Sequence, residues 1–197
     1  MFFGVSGMSY VDGYSVGEST EYLKSAQFIQ DIKDFREQFF SFERQSQVAV
    51  ESTEVTLKAA FMVKKSGLHM SNIGNRGELM AVVKDCLPGL SVEEVSWADF
   101  YPVEQIHILK QTKVLISLPG SDVMNAVFLP DGSWLIVFCR IVDGNVEYSN
   151  EIALWFRYMR HLHVVEVCGQ HVTRMDSGSD VLVNASKLKE VLSSVKL

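Results

Sequence analysis

The sequence has little of what marks several protein classes, and each shortage removes one. Cys86, Cys139 and Cys168 are its only cysteines, too few for a disulfide-built scaffold, and no CxxC pair suggests a zinc site. Lys and Arg number 18 against 24 Asp and Glu, a formal net charge of −6, so no general attraction draws the chain to nucleic acid or to an anionic membrane. No apolar run approaches the roughly 20 residues of a membrane-spanning helix. The start, Met1-Phe2-Phe3-Gly4, lacks the basic leader of a signal peptide. The Walker phosphate loop, GxGxxG, GxSxG and HExxH are all absent, which removes the usual signatures of nucleotide-binding loops, α/β-hydrolases and zinc proteases. His161 and His163 straddle a strand start with no acidic partner at metal-ligand spacing, and read as packed or surface side chains.

What is present is an ordinary globular composition. Hydrophobic residues make up 47% of 197, enough for one domain with a sizeable core. There is no internal repeat, low-complexity tract or clear linker, so the chain reads as a single domain over 1–197.

Patterning predicts strands alternating with helices. A first strand is expected at 2–5. A helix capped by Ser19 or Thr20 should run to about Gln45, with Ile29, Ile32, Phe35 and Phe39 on its inner face. A strand is expected over 54–63. A helix follows from Asn75, with Glu78 as capping-box partner and Leu79, Val82 and Val83 inward. Next come a strand at 92–95 and a helix over 101–110. Trp134 to Ile141 reads as one continuous apolar strand, then 148–160 as a helix and 163–167 as a strand. Residues 170–179 read as a loop, 181–183 as a strand stub, and Ser186 onward as a closing helix. The fold class expected is α/β: a doubly wound, mainly parallel, Rossmann-like sheet with helices on both faces.

The stretch that organises the rest is VLISLPGSDVMNAVFLP, Val114 to Pro130. Val114-Leu115-Ile116 reads as a buried strand, Pro119-Gly120-Ser121-Asp122 as a loop, and Val123 to Leu129 as a helix ended by Pro130-Asp131-Gly132. Such a unit aims unpaired backbone N–H groups at whatever lies above the loop, which suits a phosphate; an ordinary strand-to-helix connection is the plainer alternative. Lys64-Lys65 closes a strand at the end where open α/β sheets bind ligands, so Lys65 can meet that phosphate or simply solubilise the surface.

Several of these segments together resemble glycosyltransferase family 61. Glu104-Gln105 match the pair that opens a helix in the family, Gly120 its loop glycine, and Asn125, Phe128, Leu129, Pro130 and Gly132 its Asn-x-x-Phe-Leu-Pro-x-Gly run. Upstream, Lys65-Ser66-Gly67 and Asn75-Arg76-Gly77-Glu78-Leu79 resemble its basic strand end and Asn-x-x-Glu-Leu helix start. Downstream, Val181 to Leu192 resembles its closing strand and helix. Two residues depart from the pattern: Pro119 stands where a loop histidine is expected, and Asp122 where a second glycine is.

The resemblance implies the C-terminal-type domain of a GT-B enzyme, without the N-terminal half or the membrane anchor, working in the Golgi or endoplasmic reticulum lumen. It implies transfer of a sugar from a UDP-type nucleotide sugar to a glycan or glycoprotein acceptor. The backbone at Gly120, Ser121 and Asp122 would face the donor diphosphate, with Lys65 balancing charge and Asn125 beside it. Glu151, at the start of a following helix, would hold ribose hydroxyls by the general logic of open α/β sheets, a solvent-exposed glutamate being the plainer alternative. A carboxylate at 122 repels a diphosphate unless a divalent metal or another cation lies between them. A second reading therefore stays open, a degenerate, non-catalytic member that keeps the fold and binds a partner or glycan.

Overall fold

The computed structural model describes residues 26–45, 58–62, 72–118, 121–138, 140–142, 145–147, 159–175 and 180–196. Among these, continuous apolar runs form strands that are covered on both faces, as such runs require. The main sheet holds β1 (Lys58–Met62), β2 (Ser91–Val95), β3 (Thr112–Ser117), β4 (Ser133–Phe138) and β7 (Leu162–Val167) in the order β2-β1-β3-β4-β7, and every neighbouring pair is parallel. Between β4 and β7 lie β5 (Arg140–Val142) and β6 (Asn145–Glu147), which pair antiparallel with each other.

Alternation along the strands sorts the core into two layers. Phe61, Val114, Ile116, Ile136 and Phe138 point to one face, beneath α2 (Arg76–Cys86) and α4 (Ala185–Leu192). Ala60, Leu115, Leu135 and Val137 point to the other, beneath α3 (Pro102–Lys110), the segment Ser121–Phe128, and α1 (Ala26–Gln45). Phe35, Phe39 and Phe40 of α1 gather round Phe128, with ring centroids 5.8, 5.3 and 6.3 Å away. The sheet is doubly wound, and β3 lies at its centre, as the sequence predicts.

Four expectations are corrected. The run Trp134 to Ile141 is not one strand: β4 ends at Phe138, and β5 turns away to pair with β6. The two residues between them, Asp143-Gly144, are the kind that favour a tight hairpin, and that local preference outweighs the apolar run. Ser121–Phe128 is a 3₁₀ rather than an α-helix. Its buried positions Val123 and Ala126, continued by Leu129, recur every third residue, the 3₁₀ repeat, and all three are fully buried. Residues 170–179 contain structure: a single turn at Gly169–His171 leads into β8 (Val172–Arg174), which pairs antiparallel with β9 (Val181–Val183) as a separate hairpin. Finally, the Asn75 side chain does not cap α2; it is used elsewhere, as described below. The expected strand at 2–5, the start of the first helix and residues 148–158 of the expected helix at 148–160 lie outside the described residues, while Met159 and Arg160 are not helical.

Candidate functional site

The sheet order places a crevice. From β1 the chain crosses through α2 to β2 on one side. It then returns through α3, on the opposite face, to β3 on the other side of β1. The direction of winding reverses between β1 and β3. In open α/β sheets ligands bind outside the C-terminal ends of the strands at that reversal. Phe61 and Ile116 are register partners there, so β1 and β3 run side by side at that end. In the sequence Lys65 follows β1 and Gly120-Ser121-Asp122 follows β3. Ser121 and Asp122 open the 3₁₀ segment and Asn125 lies within it; Lys65, Gly120 and Glu151 fall outside the described residues.

Gln105, from the first turn of α3, ties this end of the sheet together. Its Nε2 donates to the carbonyls of Trp97 (2.9 Å) and Phe100 (3.0 Å), gripping the turn that follows β2. Its Oε1 accepts from Asn125 Nδ2 at 3.2 Å, which links that turn to the segment after β3. Glu104 completes the helix start: its Oε2 accepts from the Tyr101 N–H at 2.7 Å. The resemblance marks Glu104-Gln105 as a pair without giving either a role. Both hold backbone beside the crevice.

The Asn-x-x-Glu-Leu motif is also structural. Residues 72–74 run parallel to β9, with Val181 N–H donating to Asn72 O and Gly74 N–H to Val181 O, both at 2.8 Å. Asn75 extends this ladder with its side chain. Oδ1 accepts from Val183 N–H at 3.0 Å, and Nδ2 donates to Val183 O at 2.8 Å and to Glu78 Oε2 at 2.8 Å. A carboxamide has the same donor and acceptor as a peptide group, so it stands in for one more residue of strand.

The Pro-x-Gly of the central motif makes a turn closed by Ser133 N–H to Pro130 O at 3.1 Å. Gly132 takes φ +77 there, a conformation that favours glycine. Beside it, at the N-terminal end of the strands, Arg36 of α1 donates to Asp131 Oδ1 at 2.8 Å and to Leu129 O at 3.0 Å. The Arg36 hydrogen bond holds the Asp131 carboxyl below its ordinary pKa. His161 nearby is pushed down to about 4, chiefly by burial and then by the Arg36 guanidinium, while Asp131 and a hydrogen bond to the Val127 backbone pull the other way. His163 stacks on Trp134 with centroids 4.7 Å apart. His161 is a partly buried side chain and His163 a surface one, the two alternatives that the sequence offers.

Cys86 is a free thiol and Cys168 is disulfide-bonded. The β4–β7 register ends with Phe138 opposite Val167, and the next residue in the sequence after each strand is a cysteine; Cys139 itself lies outside the described residues. Among the described residues no three His, Cys, Asp or Glu side chains gather as a metal site, and no helix is long and apolar enough to cross a membrane.

A family model, Glycosyltransferase 61, matches residues 8–136, a span that includes the Asn75, Glu104-Gln105 and Asn125-to-Gly132 motifs. No curated protein sequence matches the chain. Among solved structures, a diflavin flavoprotein A3 from Nostoc sp. is similar at 12% identity and a TM-score of 0.45, over 71% of this chain and 90% of that one.

Proposed function

The chain belongs to glycosyltransferase family 61, and from that premise we propose that it transfers a sugar from a UDP-type nucleotide sugar to a glycan or glycoprotein acceptor in the secretory pathway. The observation that carries this reading is the reversal of strand order between β1 and β3. Lys65 follows β1 and Gly120 follows β3 in the sequence, which supports a donor site at that reversal.

In this reading the diphosphate lies over the backbone N–H groups of Gly120, Ser121 and Asp122. Lys65 balances its charge, Asn125 borders it, and Glu151 holds the ribose hydroxyls. A divalent cation held by Asp122 would turn its repulsion of the diphosphate into attraction. Transfer forms a bond from the acceptor oxygen to the anomeric carbon and breaks the bond from that carbon to the diphosphate. UDP leaves with the electron pair, and the acceptor proton passes to a base. The Pro119 and Asp122 departures favour a second reading, a non-catalytic domain that keeps the fold and binds a glycan or partner.

Calorimetry and thermal melting with UDP and UDP-sugars, with and without Mn²⁺, together with a donor-turnover assay, separate the two. The expected result is saturable UDP binding that raises the melting temperature, and turnover of one donor sugar. Binding of a glycan with no response to any nucleotide would establish the second reading instead.

A further inference from the structure

The turn after β2 holds two aromatic rings out of the core. Its backbone is tied by the two Gln105 bonds, by Glu104 to the Tyr101 N–H, and by Phe100 N–H to Trp97 O at 3.2 Å. Trp97 anchors it, 7% exposed in the layer beneath α3. Yet Phe100 is 38% exposed and Tyr101 is 79% exposed. A ring presented on so fixed a backbone is a ready stacking surface, because little conformational freedom is lost when a ligand covers it.

Its place in the sheet matters as much. The turn leaves the C-terminal end of β2, one strand from β1, about 5 Å across the sheet, and the Gln105–Asn125 bond joins it to the segment after β3. It therefore stands at the rim of the β1/β3 crevice. The segment 96–105, SWADFYPVEQ, carries Asp99 and Glu104 and no Lys or Arg. Such a rim disfavours a diphosphate and suits a neutral ring rich in hydroxyls.

We propose that Phe100 and Tyr101 form a carbohydrate-stacking platform at the rim of the crevice, the Tyr101 ring lying against the apolar face of a pyranose. This rests on the nucleotide-sugar reading for its location. The pyranose can belong to the donor or to the acceptor, and the probes below distinguish them.

The test replaces Tyr101 with Ala and, separately, with Phe in the full 197-residue chain. Binding is measured by calorimetry and by ligand-observed NMR for UDP, UDP-hexoses and free oligosaccharides. The expected result is that Tyr101→Ala weakens one sugar-bearing probe about three- to tenfold and leaves UDP unchanged, while Tyr101→Phe retains wild-type affinity. Loss confined to UDP-hexoses places the donor sugar on the ring; loss confined to oligosaccharides places the acceptor there. If the wild-type chain ignores UDP but binds oligosaccharide through Tyr101, the platform stands and the donor reading fails. Equal losses for UDP and UDP-hexose would show that the ring stacks on the base, and the proposal falls. It falls equally if Tyr101→Ala matches wild type for every sugar, or if the wild-type chain binds no sugar-bearing probe.

Discussion

Replacing Asn75 with Ala tests whether a side chain serves here as strand backbone. The carboxamide supplies both partners of Val183 on the side of β9 away from β8, at 3.0 and 2.8 Å, and Val183 is 3% exposed. Alanine removes both. A buried polar group left unpaired costs about 1–3 kcal/mol; with some water entering beside the half-exposed Asn75 site, the sum for two is about 2–4 kcal/mol. At roughly 2–4 °C per kcal/mol for a chain of this size, the midpoint of a calorimetric melt should fall by about 5–15 °C. Asn75→Asp sharpens the test. It preserves volume and the acceptor for Val183 N–H, but loses the donor and sets a second carboxylate beside Glu78, which now accepts from Asn75 at 2.8 Å. It should be at least as unstable as the alanine variant at pH 7. It should recover part of the loss near pH 4, where a protonated carboxyl donates again. A melting temperature for Asn75→Ala within about 1 °C of wild type would show that Val183 is satisfied without Asn75, and the strand-mimic argument would be wrong.

Three further outcomes are expected. His161 is held at about 4 in the folded chain against an ordinary 6.5, so between these values the unfolded chain binds a proton that the folded one refuses. Stability is full above pH 6.5 and declines as the pH falls to about 4. The shift corresponds to about 3 kcal/mol, reduced to about 1–2 kcal/mol because the ring is only half-buried and solvent screens it; denaturant melts of His161→Gln should lack that slope. Gln105→Ala should cost about 1–2 kcal/mol, with hydrogen exchange accelerated at Asp99 and Phe100, and unchanged exchange there would refute the tether. Peptide mapping without reductant should find Cys168 joined to Cys139 and Cys86 alkylated; a free Cys168 counts against the strand register at that end of the sheet.

The fold was legible where burial pattern and strand length agree. Val114 to Ile116 and Leu135 to Phe138 are apolar without alternation because helices cover both faces, and that pattern predicts a central parallel strand. It was illegible where local turn chemistry overrides pattern. Nothing in the apolar character of Trp134 to Ile141 shows that pairing with β4 ends at Phe138. Val172 to Arg174 is too short for any period to register, so β8 read as loop. At the crevice, the expected location rests on Gly120 and the resemblance; the resemblance also marks Gln105, but its role is not legible because its work is done by reaching neighbouring carbonyls across a turn. Asn75 reads in the sequence as the cap of α2, with Glu78 as its capping-box partner, whereas its carboxamide pairs with Val183. Only the third dimension shows that β9 lies beside it.

The Asn75–Val183 bonds join residues 108 positions apart. During synthesis at about 5–20 residues per second, the segment that opens α2 waits roughly 5–20 seconds for the strand that completes it. Only in the later part of that interval, once β4 has been made, can the ribosome-bound chain bring β1 to β4 together, and until β9 follows residues 72–75 present an unpaired edge open to other extended chains. Pairing of this edge therefore cannot precede translation of β9, whatever the local propensity of residues 72–75. A nascent chain that dwells on a slow codon before β9 is the form of this protein most exposed to mispairing.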